Sequence, residues 1–151
     1  MKKKLKEQLY LLCMDYVEKR ISNLQGAILV AKESANDDSK SSAGDKHETG
    51  RAMAQLEQEK SGYQLKEAQE LKNNLEKINI NTVSKSVQLG SIVITDKGNF
   101  FVSIPVGKLI LDSQTYYAIS LSSPIGVKVK NLTKKDAFEM NNIVYKILEI
   151  L

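Results

Sequence analysis

From Leu5 onward the apolar residues Leu5, Leu9, Leu12, Tyr16, Ile21, Leu24, Ile28, Ala31 and Ala35 follow one another mostly at steps of three and four, which gathers them on one helix face. No proline interrupts the run, and Gly26 is its only weak point. The spacing predicts a helix of about 30 residues, roughly 45 Å long at ~1.5 Å per residue. A narrow apolar stripe on so long a helix needs a partner. The pattern resumes at Met53, Leu56, Tyr63, Leu71, Leu75 and Ile78. The aliphatic stem of Lys60 can fill a seam position there, and Ala68 can stand beside the poorly suited Glu67. Two such helices joined by a polar turn satisfy each other as an antiparallel coiled-coil hairpin, expected over residues 1–80.

Between the two runs lies the polar stretch Glu33 to Lys60, and at its centre stands Gly44-Asp45-Lys46-His47-Glu48. Two carboxylates three residues apart flank the only histidine of the chain. Glu33, Asp37, Asp38, Asp45 and Glu48 against Lys40 and Lys46 give residues 33–48 a net charge of −3, so the expected hairpin has an acidic tip near 37–48. Lys2, Lys3, Lys4 and Lys6 crowd the N-terminus, and Lys128, Lys130, Lys134 and Lys135 cluster late. The overall charge of +4 is too mild to argue for nucleic acid by itself, and the late lysines read as a solvated face. Asp45 with Glu48 has the spacing of a capping box as well as that of paired oxygen ligands for a hard cation. Asp37 and Asp38 read as a solvated helix end, and the single His47 cannot make a transition-metal site without other donors.

Around residues 79–86 the period lapses into Asn-Ile-Asn-Thr-Val-Ser-Lys-Ser, residues that favour turns and caps, and a domain boundary belongs there. Beyond it come short β-branched and aromatic runs at 91–96, 99–104, 116–120 and 143–150, with turn chemistry at Asp96-Lys97-Gly98-Asn99 and at Asn141-Asn142. A twisted antiparallel sheet of four or five strands is expected over 83–151, which makes the chain α+β. Ser123 can cap a helix and Pro124 suits its first position, so a short helix from Pro124 to about Leu132 is preferred over a strand starting at Gly126. The lone Cys13 falls among apolar neighbours and reads as core. The longest apolar run near the N-terminus, Leu9 to Met14, is too short for a signal core or a membrane span, and a cytoplasmic protein is expected.

Gly44-Asp45-Lys46-His47-Glu48 resembles the Gly-Asp-x-x-Glu tip of the Gre family of bacterial transcript cleavage factors. Residues 87–96, Val-Gln-Leu-Gly-Ser-Ile-Val-Ile-Thr-Asp, are similar to the opening strand of that family's C-terminal domain. Ile119-Ser-Leu-Ser-Ser-Pro-Ile-Gly126, with Asp136 and the closing run Val144 to Ile150, resembles its Ile-Ser-x-x-Ser-Pro-(Leu/Ile)-Gly block and final strand. The resemblance covers nearly the whole chain, and Ser123, Pro124, Ile125 and Gly126 carry it more firmly than the tip does. It implies a C-terminal domain like that of FK506-binding proteins that docks on RNA polymerase, and a coiled coil that enters the secondary channel. The tip, Asp45 and Glu48, would then help hold a second Mg²⁺ in the polymerase active site, near the nascent RNA, and promote hydrolysis of backtracked transcript. The chain departs from the family after Glu48, where Thr49-Gly50-Arg51-Ala52 replaces Asn-Ala-Glu-Tyr. The departure bears on cleavage more than on docking.

No Gly-rich phosphate loop, Cys/His cluster or nucleophile with a visible base is present, so an enzyme in its own right is not expected, nor a cofactor of its own or a small-molecule substrate. A prolyl isomerase or chaperone is the alternative from fold likeness. Such a site is an aromatic-lined pocket, and adjacent Phe100 and Phe101 should point to opposite faces of one strand.

Overall fold

The structure, a computed structural model, describes residues 2–39 and 44–151, and the side chains within 2–34 and 49–151. The order is α1 (Lys2–Ser39), α2 (Gly44–Glu76), β1 (Ile92–Thr95), β2 (Gly98–Val102), β3 (Gly107–Leu111), β4 (Gln114–Ile119), α3 (Pro124–Val129), β5 (Ala137–Met140) and β6 (Ile143–Ile150). The chain is α+β, two long helices followed by a mixed sheet with one short helix. Among the described residues no helix is long and apolar enough to cross a membrane. Contacts divide the chain into two compact units, Met1–Tyr16 with Asn73–Leu151, and Val17–Lys72. The division falls inside α1 and α2, and residues 79–86 lie within the first unit.

The helical unit buries Val17, Leu24 and Ala31 on α1 and Ala54, Ser61 and Ala68 on α2, each set at intervals of seven. Ile21 and Ile28 between the first three, and Gln58 and Leu65 between the second, are half-buried. Both sets therefore follow the four-three alternation of a helix seam. The α2 stripe expected at Met53, Leu56 and Tyr63 is displaced: these three side chains are 65–67% exposed. Small seam residues are the reason. Alanine and serine carry little hydrophobic signal, so the period of the larger side chains one or two positions away dominates the pattern. On α1, Tyr16 is likewise exposed while its neighbour Val17 is buried.

The other unit is built on a six-stranded sheet of order β3-β4-β2-β1-β6-β5. The expected strands at 91–96, 99–104, 116–120 and 143–150 correspond to β1, β2, β4 and β6, but β3 and β5 are additional and the sheet is not purely antiparallel. After β2 the chain turns through Ile104 to Gly107, the latter at φ 91°, and runs back as β3 at the edge. It then returns as β4 in the gap between β2 and β3, which makes β2 and β4 parallel, with Phe100 opposite Tyr117. The β3–β4 and β5–β6 turns are pairs of left-handed residues, Asp112-Ser113 and Asn141-Asn142, as two-residue hairpins of type I′ require.

Adjacent residues of β1 and β2 serve opposite faces of the sheet. Val93, Phe100 and Val102 join Val87, Val129, Phe138 and Ile147 in one buried cluster, against which Ile119, Ile125, Leu132 and Tyr145 pack. Its aromatic part is continuous, with Phe138 stacked on Tyr145 at 5.0 Å and Phe100 edge-on to Tyr145 at 5.8 Å. Ile92 and Phe101, paired across β1 and β2, are fully buried on the other face. The first turns of α1 belong to this unit, with Cys13 buried beside Ser103 just after β2. Cys13 is core, as its neighbours in sequence indicated.

Candidate functional site

Asp45 and Glu48 are the second and fifth residues of α2, which starts at Gly44. Their side chains, with those of Asp37, Asp38 and His47, lie outside the described residues, as does Lys40. The donor set itself suits Mg²⁺: two carboxylates are hard oxygen ligands, and Mg²⁺ keeps several waters when so few protein groups bind it. Two carboxylates are too few to retain the ion alone. Among the described residues no group of three or more His, Cys, Asp or Glu side chains gathers into a metal centre.

The block Ser123 to Gly126 is built into α3. Ser123 is extended at φ −69° and ψ 160°, its Oγ accepts from Gly126 N at 3.0 Å, and its hydroxyl donates to Ser120 O at 2.7 Å. Pro124 occupies the first turn, where its missing N–H costs nothing. Ile125 packs on the core cluster. Gly126 is buried so tightly that a Cβ there would sit 2.0 Å from Ser120 O. Three of the four residues thus have a local structural duty, and Pro124, with neighbouring Val127 at 66% exposure, forms the outward surface of this helix. Asp136 also has a local role. Its Oδ2 accepts from Thr133 N at 2.7 Å and from Thr133 Oγ1 at 3.0 Å, closing the turn before β5.

No family model matches this chain, and no curated protein matches it. Its chemistry is therefore read from its own residues.

One polar position escaped the sequence reading. Lys6 is 4% exposed, and its Nζ donates to Thr82 O at 2.9 Å. Burial holds its ammonium below the ordinary lysine range. It belongs to a buried stripe with Leu9, Cys13 and Val17, at steps of three and four. That spacing was a usable signal, masked because Lys6 stands among Lys2, Lys3 and Lys4. Burial also pushes the Cys13 thiol up to about 11, and the Ser103 hydrogen bond opposes it only in part. A thiol so disposed is no nucleophile at neutral pH.

Proposed function

We propose that this chain is a transcription elongation regulator that docks on bacterial RNA polymerase. In this reading α1 and α2 pair as an antiparallel coiled-coil hairpin that enters the secondary channel, and the sheet-bearing unit has the fold of the FK506-binding proteins. The observation that carries the proposal is the pairing sense of the two helices. Glu18 near the start of the helical unit lies 3.8 Å from Lys72 at its end, and Val30 and Ala31 share a cavity with Met53 and Ala54. Within the helical unit the middle of α1 thus meets the end of α2, and the later turns of α1 meet the beginning of α2. This antiparallel sense supports a hairpin with Asp45 and Glu48 near the start of its second arm. The Ser-Pro-Ile-Gly cap of α3, set against the end of β4, supports the same reading of the C-terminal part.

The chain's own work is delivery. Asp45 and Glu48 would supply two oxygen ligands beside the polymerase active site, close to the nascent RNA. Asp45 and Glu48 would help hold a Mg²⁺ there, and the chemistry that such an ion would supply is activation of water and neutralisation of charge on the leaving oxygen. The protein is thus a cofactor of another enzyme rather than an enzyme. A second reading, channel binding without cleavage, is favoured by Arg51-Ala52 standing where the resembling family has a further glutamate and a tyrosine.

Stalled, backtracked elongation complexes mixed with the full chain test this. Transcript cleavage by the wild type and not by Asp45→Asn/Glu48→Gln supports delivery of metal ligands. Occupancy of polymerase with no cleavage by either selects the second reading. Equal cleavage by both removes Asp45 and Glu48 from the mechanism, and failure to bind polymerase at all refutes both readings.

A further inference from the structure

The ammonium of Lys6 is buried with one neutral acceptor, the carbonyl of Thr82. Among the described residues it makes no ion pair, although an ammonium has three protons to donate and an uncompensated buried charge is costly. It lines a cavity of about 190 Å³, within one unit of the fold, where the first turns of α1 meet the link after α2 and the segment leading into β1. At ~30 Å³ of liquid volume per water, the space holds several waters or one tetrahedral oxyanion.

The other groups on this cavity are of one kind. Lys77 stands on its wall, with its Nζ no closer than 3.5 Å to its partner Asn74 Oδ1. Asn79 Oδ1 accepts from Asn81 N at 3.0 Å, which leaves the Asn79 amide nitrogen to donate. Ser91 Oγ accepts from Gln88 N at 3.0 Å, which leaves its own proton to donate. None of the lining residues is acidic. Gly90, at φ 94°, brings the wall so close to the link that a Cβ would meet Ile78 Cγ2 at 2.9 Å. Two cations and several neutral donors without a carboxylate match an anion with several acceptor oxygens.

We propose that this cavity is a binding site for a phosphate-class oxyanion, held by Lys6 and Lys77 with the Asn79 amide and the Ser91 hydroxyl. The proposal goes beyond docking on polymerase and does not rest on it. The ligand is either free inorganic phosphate or the phosphate of a nucleotide.

Calorimetric titration of the full chain with sodium phosphate, at ionic strength held constant with sodium chloride, tests it. A nucleoside 5′-monophosphate and the bare nucleoside form parallel arms. Saturable phosphate binding is expected, weakened at least tenfold in Lys6→Met and severalfold in Lys77→Ala, and tighter binding of the monophosphate would assign the site to nucleotides. Bound phosphate should also raise the pKa of the Lys6 ammonium, followed by its side-chain NMR resonances. Lys77 is exposed and its replacement leaves the fold intact, so the test stands even where Lys6→Met fails to fold. Phosphate behaving like chloride, binding unchanged in Lys77→Ala with an unmoved Lys6 resonance, or bare nucleoside binding as tightly as its monophosphate would overturn the proposal.

Discussion

Cys13 Sγ and Ser103 Oγ lie 3.7 Å apart, both residues buried, although 90 positions separate them in the chain. This contact fixes the first turns of α1 to the end of β2, and it makes Cys13 a reporter of that junction. An unperturbed thiol has a pKa of 9.0, and burial pushes that of folded Cys13 up to about 11. Between those values the unfolded state releases its proton first and binds fewer protons, so stability falls as pH rises. Below 9.0 the contribution is fully present. Across the window the loss should be on the order of 2–3 kcal/mol, read as the difference in urea unfolding between wild type and Cys13→Ala. Iodoacetamide at pH 8 should leave the native thiol unlabelled and modify it fully in urea.

The approach of Gly126 to Ser120 predicts a different loss. Gly126→Ala forces a methyl to within 2.0 Å of a backbone oxygen, which a flexible side chain could evade but a carbonyl cannot. The substitution should cost about 3 kcal/mol or more in urea unfolding, at the upper end of overpacking. Ser123→Ala removes only the cap and should cost about 1 kcal/mol. If the proposed docking on polymerase holds, its loss in either variant would follow from unfolding α3. Val127→Asp, at an exposed position on the same helix, is the variant that reads contact directly.

Gly26 and Gly62 are the opposite case. Both sit inside long helices, and a Cβ at either would meet nothing within 4 Å. Alanine lowers the backbone entropy of the unfolded chain without a clash, so Gly26→Ala and Gly62→Ala should each stabilise by roughly 0.5–1 kcal/mol. Guanidinium midpoints with unchanged slopes would check this; a fall in midpoint would mean that one of these glycines has a partner in solution.

Length and period made the two helices legible, because a run without proline leaves the 3.6-residue pattern unbroken over many turns. Asn141-Asn142 was legible as a hairpin because asparagine tolerates left-handed backbone. The β3–β4 turn was not, since Asp112-Ser113 places serine at φ 65°, where local propensity does not lead. Without that turn Gly107–Leu111 remained a short apolar run, and the parallel pairing of β2 with β4 could not be reached. Of the site residues, Ser123 and Pro124 announced their cap by type and order. The demand on Gly126 comes from Ser120 and Leu121 across a fold that no local pattern encodes. Lys6 was hidden by the lysines around it, since burial of one among several is decided by which residue faces the link, at Thr82.

The α2 seam supplies the sharpest contrast between pattern and packing. Leu56 is larger and more apolar than Ala68, yet Leu56 is 65% exposed and Ala68 is fully buried. If burial decides stability, Leu56→Gln removes little apolar contact and should change the free energy of unfolding by less than about 0.5 kcal/mol. Ala68→Gln forces a long polar side chain into a space shaped for a methyl group, and should cost about 1–3 kcal/mol. The same pair separates two origins of the exposed stripe. A stripe covered by a second copy of the chain would make Leu56→Gln dissociate an oligomer and lower the melting temperature in a concentration-dependent way. An uncovered stripe predicts a melting temperature independent of protein concentration in the wild type and the variant alike, and the spacing of Ala54, Ser61 and Ala68 would then account for the helical unit without help from Met53, Leu56 or Tyr63.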